Sequence, residues 1–198
     1  MAVDIKDIKR LRELTGVGMT DAKKALEEAK GDFDKALEEM RIKGLAKAEK
    51  RGEKEARAGV VDSYVHSGRI GVLLEVNCET DFVARNENFT DFVRDIAMHI
   101  AASNPLCVAE ADAPADLVKK EKELIAAELK EEGKPADMID KISEGKLRKY
   151  MDGICLLNQP YVKDPDITVE QYLKERIAKL GENIVIRKFA RIELGAGE

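Results

Sequence analysis

The run from Gly59 to Cys78, GVVDSYVHSGRIGVLLEVNC, decides the fold class. Val61, Ser63 and Val65 alternate with Val60, Asp62, Tyr64 and His66, the period of a strand, and Ser67-Gly68 supplies a tight turn. The return run, Arg69 to Cys78, carries Ile70, Val72, Leu73, Leu74 and Val76. So apolar a segment predicts a central strand with both faces covered. The hairpin is followed and preceded by helical periodicity, so the chain reads as α+β.

Upstream, Asp4 caps a helix with Ile5, Ile8, Leu11 and Leu14 on one stripe, and Thr15-Gly16-Val17-Gly18 ends it. Thr20 is a cap for a second helix bearing Ala22, Ala25, Leu26 and Ala29, stopped by Gly31. Asp32 caps a third with Phe33, Ala36, Leu37 and Met40. Leu45 to Arg57, LAKAEKRGEKEAR, is charge and alanine around Gly52 and predicts a solvated helical linker. The domains expected are a three-helix module at 1–50, a charged linker at 51–58 and an α+β core at 59–198.

Downstream, Phe89, Phe92, Val93, Ile96, Ala97, Ile100 and Ala101 form a helical stripe wide enough to pack on the sheet. Leu106-Cys107-Val108 suits a short strand. Helices broken at Gly133-Lys134-Pro135 make a helical hairpin at about 114–150. Met151 to Tyr161 predicts irregular or extended chain, and Thr168-Val169-Glu170-Gln171 a capping box for a helix through Leu180. The last strand, Asn183 to Leu194, places Ile184, Ile186, Ala190, Ile192 and Leu194 on one side and Arg187, Phe189 and Arg191 on the other.

Composition excludes more than it selects. Of 198 residues, 37% are charged, yet the net charge is only −5. Residues 1–58 hold 15 Lys/Arg against 13 Asp/Glu, and 59–198 hold 19 against 26, an asymmetry too weak to name a nucleic-acid or membrane partner. Aromatic residues make up 5% and none interleaves with the basic run of the linker. With no signal-like amino terminus and no long apolar span, the sequence predicts a cytoplasmic protein. Cys78, Cys107 and Cys155 lack CxxC spacing and read as buried thiols.

Catalytic chemistry finds few reagents here. His66 and His99 are the only imidazoles, and His99 falls near the core stripe. Gly16-Val17-Gly18 lacks the preceding strand and third glycine of a dinucleotide turn, and no GxxxxGK[ST] loop is present. No metal, cofactor or catalytic site is therefore expected.

The remaining question lies at Asn77 to Phe89, NCETDFVARNENF. A continuous helix from Asp81 would put Phe82 seven residues before Phe89, on the buried stripe. Asn86-Glu87-Asn88, however, are poor helix formers and good caps, and a break there frees Phe82 to face water. Composition favours the buried ring and the polar run leaves the exposed one open.

Three segments, Leu11 to Leu26 (LRELTGVGMTDAKKAL), Glu75 to Ala84 (EVNCETDFVA) and Gly181-Glu182-Asn183-Ile184, closely resemble the bacterial elongation factor Ts family, in its short form. His66-Ser67-Gly68-Arg69-Ile70-Gly71 is similar to a further family segment, and the likeness covers nearly the whole chain. The resemblance implies a guanine-nucleotide exchange factor that releases GDP from elongation factor Tu without covalent chemistry, hence not an enzyme. It implies that the first fifty residues are a ubiquitin-associated-like module docking through Arg12 and Met19. Thr80, Asp81, Phe82 and Val83 would disturb the magnesium and phosphate site of the GTPase, and His66 would meet another of its domains. Because only one core half is present, it also implies a homodimer, for which the last strand with Phe189 is the candidate contact. The rivals are a non-exchange binding module, which needs Phe82 buried, and a thiol enzyme built on Cys78, which needs a base nearby.

Overall fold

The computed structural model describes residues 3–196, with backbone only at 136 and 137. Helix and sheet are mixed, as an α+β reading requires. The order is α1 (Ile5–Thr15), α2 (Met19–Glu28), α3 (Phe33–Arg51), β1 (Ala58–His66), β2 (Ile70–Cys78), α4 (Asp81–Ala84), α5 (Glu87–Ser103), α6 (Ala115–Glu131), α7 (Ala136–Ile154), β3 (Pro160–Tyr161), β4 (Asp164–Thr168), α8 (Val169–Leu180) and β5 (Ile184–Glu193). The chain divides into two units. One comprises the chain up to Asp62, Leu74–Asp95 and Glu170–Arg187; the other comprises Ser63–Leu73, Ile96–Val169 and the chain from Lys188.

In the first unit, the Asp4 carboxylate accepts from Lys6 N at 2.9 Å to start α1, and that of Asp32 accepts from Lys35 N at 3.1 Å to start α3. Helix α2 starts one residue before the expected cap. Gly18 is the N-cap, its carbonyl accepting from Ala22 N, because the loop after α1 is only Gly16-Val17-Gly18. The three helices close on Ile8, Leu11, Ala22, Ala25, Leu26, Ala29, Ala36 and Met40. Half of these are alanine, which lets the helix backbones approach closely.

The expectation of a solvated helical linker holds for most of its charged residues and fails at two alanines. Helix α3 runs without a break through Lys47 to Arg51, because Lys, Glu and Ala are good helix formers. Ala48 and Ala56 are buried, and the carbonyls of Gly52 and Lys54 accept from Asn183 Nδ2 at 3.4 and 2.6 Å. Alanine packs against a neighbour as readily as it faces water, and sequence alone does not separate the two.

The main sheet has the order β1-β2-β5, with β2 central as expected. Ser67 and Gly68 both take positive φ, 51° and 68°, and Arg69 N donates to His66 O at 2.9 Å, closing the hairpin. The expectation of cover on both faces fails. Val72, Leu74, Val76 and Cys78 are buried, whereas Leu73 is 53% exposed. Helices stand on both faces of parallel sheets, not necessarily of an antiparallel one.

Strand β5 corrects a second reading. Ile184 and Ile186 are buried, but Ile192 is exposed while the Arg191 side chain turns inward, donating from Nε and Nη2 to Ala101 O on α5 at 3.3 and 3.2 Å. Burial therefore does not follow one parity along the strand: Ile184 and Ile186 are covered near its start, and Ile192 near its end is not.

In the second unit, α6 and α7 pack side by side, with Lys146 Nζ 2.7 Å from Glu128 Oε2. The expected extended chain after Met151 is partly helical, since α7 continues to Ile154 and a 3-10 turn follows at Leu156–Asn158. Leu106–Val108 forms only an isolated bridge, Cys107 to Cys155. His99 is fully buried; Val162 N donates to Nδ1 at 3.2 Å, so Nε2 carries the proton toward Gln159 Oε1 at 2.9 Å. Both nitrogens are thus satisfied in the neutral ring.

Candidate functional site

The site begins where β2 ends. Thr80 is extended, with φ −133° and ψ 154°, and its hydroxyl caps the single turn of α4 by accepting from Val83 N at 3.5 Å. The turn lasts four residues, because Asn86 Oδ1 accepts from Asn88 N at 2.9 Å and starts α5 afresh. The expected interruption is therefore present, at Arg85-Asn86, with Glu87 and Asn88 already in α5, and Phe82 does not share a helix with Phe89. Phe89 and Phe92 are fully buried, and Phe82 is 90% exposed. Leaving a phenylalanine in water forgoes about 2 kcal/mol of burial. The composition-based preference for a buried ring is overturned because a capped corner, rather than a helical stripe, sets its direction.

The corner is clamped from a distance of about a hundred residues. Glu182 Oε2 accepts from Glu79 N and Thr80 N at 3.1 and 3.0 Å, and Glu182 Oε1 accepts from Thr80 Oγ1 at 2.6 Å. Glu79 in turn accepts from Asn183 N at 2.6 Å and from Arg51 Nε and Nη2 at 2.8 and 3.3 Å. With Asn183 Nδ2 on the Gly52 and Lys54 carbonyls, the ends of α3, β2 and α8 are tied into one network. Charged acceptors on backbone amides make the stronger class of hydrogen bond. The base of α4 is rigid while its outer face, with Asp81 and Phe82, stays exposed.

Arg12, Glu13, Gly16, Val83, Asn86, Asn88, Lys179 and Leu180 line a shallow groove of about 540 Å³ beside this corner. The structure thus brings Arg12 to the same groove as Val83. Gly16 makes this possible, since it takes φ 70° and a Cβ there would lie 2.7 Å from the Lys179 Cα. Met19 is exposed in the first turn of α2 and does not line the groove. His66 belongs to the other unit, at the end of β1, where its Nδ1 lies 3.0 Å from the Tyr64 hydroxyl.

Cys78 offers no nucleophile. It is fully buried, its Sγ donates to Thr80 O at 3.2 Å, and burial followed by the Glu182 charge pushes its pKa up to about 11. A reactive thiol needs the opposite shift. Among the described residues no group of three metal-ligating side chains converges, and no helix is long and apolar enough to cross a membrane.

The clamp itself is what the sequence concealed. Arg51, Glu79, Glu182 and Asn183 are separated by up to 132 positions, and none has a motif that marks a hydrogen-bonding partner. The only signal was that Gly181-Glu182-Asn183-Ile184 carries the family resemblance while having no evident task.

A family profile described as Elongation factor TS matches residues 2–196. Elongation factor Ts of Acetivibrio thermocellus is 55% identical over 191 residues, 96% of this chain and 89% of that protein. The proteins of that name from Carboxydothermus hydrogenoformans and Caldanaerobacter subterraneus subsp. tengcongensis are 54% and 53% identical, covering 96% and 98% of this chain and 88% and 98% of theirs. A match at this identity spans α1 through β5 and therefore includes the capped corner, its clamp and the groove together, so this chain belongs to the elongation factor Ts family of translation elongation factors.

Proposed function

We propose that this chain is the guanine-nucleotide exchange factor of elongation factor Tu, binding its GDP complex and promoting GDP release in the cytoplasm. The observation that carries the reading is Phe82, 90% exposed on a one-turn helix whose base is clamped. A ring so held can enter between two helices of the GTPase and repack them, because packed cores switch between arrangements rather than deforming smoothly. Asp81 beside it competes for the hydrogen-bond donors that orient the ligands of a nearby magnesium, which loosens the cation's site. Thr80 and Val83 complete the insert: one caps the turn, the other meets the groove.

In this reading residues 1–50 are a ubiquitin-associated-like docking module presenting Arg12 and Met19, and His66 meets a further domain of the same GTPase. A charged linker at 51–58 joins this module to a core at 59–198 that includes the α6–α7 hairpin. No covalent bond is made, and no metal, cofactor, nucleic acid or membrane takes part. The active form is a homodimer, a reading supported by Val65, Leu73, Ile192 and Leu194, each of which is left exposed to water. Linkage then requires that the factor weaken GDP by the same ratio as GDP weakens the factor, about 1.4 kcal/mol for each tenfold.

The test is stimulated release of a fluorescent GDP from elongation factor Tu, with this chain at catalytic concentration. Release should accelerate with the parent chain and lose at least tenfold with Phe82→Ala at unchanged thermal stability. An unaltered rate for Phe82→Ala would sink the proposal.

A further inference from the structure

We infer that Cys107 and Cys155 form a redox-active dithiol, which a low-molecular-weight disulfide closes into an intramolecular cross-link at the foot of the α6–α7 pair. This does not depend on the exchange reading. The two residues are 48 positions apart and buried, yet their sulfurs lie 3.4 Å from one another.

Backbone pairing puts them there. Leu106 N and Cys107 N donate to Ile154 O at 2.8 and 3.3 Å, Leu156 N to Cys107 O at 2.9 Å, and Leu157 N to Val108 O at 3.0 Å. Cys107 and Cys155 are thereby direct partners in a parallel bridge. Paired strands lie about 4.7–4.9 Å apart, within the roughly 4.4–6.8 Å between α carbons that a disulfide accepts. Closure asks only that the sulfurs approach, with the backbone already in place. Cys78 has no such arrangement, since its sulfur donates to Thr80 O.

Around the pair stand Met151, Val118, Leu147, Tyr150 and Ile154, an apolar shell. Burial, with the neighbouring Cys107, pushes the Cys155 thiol up to about 12. The dithiol is therefore the resting form and reacts when the foot of the helix pair opens, which places it among transient rather than structural disulfides.

The step is thiol–disulfide exchange. One cysteine loses its proton and attacks a sulfur of the small disulfide; that S–S bond breaks and the first reagent thiolate leaves and is protonated. The second cysteine, deprotonated in turn, attacks the protein sulfur of the mixed disulfide and expels the second reagent thiol. Two protein thiols lose two electrons, one small disulfide becomes two thiols, and the two protons end on them. The cross-link closes a long loop, so opening of the foot should fall on the order of a thousandfold.

The experiment takes the full chain through glutathione buffers of rising oxidised fraction, followed by acid quench, alkylation and peptide mass mapping. Expected are a joined Cys107–Cys155 peptide, reversal by dithiothreitol, continued alkylation of Cys78, and slower hydrogen exchange at Leu156 and Leu157 in the oxidised chain. Cys107→Ala and Cys155→Ala should each abolish the joined peptide. Three alkylated cysteines at the highest oxidised fraction, a disulfide through Cys78, or a product that stops at a glutathione adduct would each overturn the inference. The decisive measurement is on the parent chain, so it stands even if a variant fails to fold.

Discussion

Glu182 is the residue on which the exposed corner rests. It supplies three acceptor contacts to Glu79 and Thr80. Glu182→Ala should leave two backbone amides without their acceptor and cost about 1–3 kcal/mol, read as a lowered urea midpoint. GDP release should slow as well, because Phe82 would no longer be held in one direction. Glu182→Gln, which keeps one carbonyl acceptor, should lie between the two; a Glu182→Ala chain as stable and as active as the parent would contradict the clamp. His99 makes a different prediction. Its folded pKa is lowered by burial, against the weaker opposing effect of Gln159, so below the unfolded value near 6.5 the unfolded chain binds a proton that the folded chain does not. Stability from this group is complete above that pH and declines as pH falls through it. The urea midpoint should drop between pH 7 and 5.5 more steeply in the parent than in His99→Gln, and equal slopes would refute the assignment.

Among the elements, the hairpin shows which parts of the fold were legible. Alternation in β1, the Ser67-Gly68 turn and the central place of β2 all follow from local pattern, as do the caps Asp4 and Asp32. The exposure of Leu73 did not, because an apolar residue on a strand says that it tolerates burial and not that something covers it. Gly59 offers a test at this scale. It takes φ 145°, and a Cβ there would run into the Val76 carbonyl oxygen and lie 2.7 Å from the Asn77 Cα. Gly59→Ala should therefore destabilise by about 3 kcal/mol, as backbone strain and overpacking combine. Gly71→Ala, on the neighbouring strand, meets nothing within 4 Å and should change stability by no more than about 0.5 kcal/mol. Thermal melts of both variants decide the comparison; equal shifts would mean that the close approach at Gly59 is not rigid.

For the whole molecule, the proposal of a homodimer makes a direct prediction. Light scattering of the parent chain at micromolar concentration should give twice the monomer mass, and Leu73→Arg should reduce it to the monomer by placing a charge on a covered apolar surface. A parent chain that scatters as a monomer would contradict the dimer. What the sequence by itself determined was the alphabet of elements and the interruption before α5, signalled by Asn86-Glu87-Asn88, because turns, caps and periodicity are local and are set by φ, ψ and side-chain type within a few residues. What only the tertiary structure decided was the exposure of Phe82, the meeting of Arg12 with Val83, the sulfur pair and the Arg51–Glu79–Glu182–Asn183 clamp. These join residues far apart in the chain, and a carboxylate carries no local mark of the distant amide it will accept from.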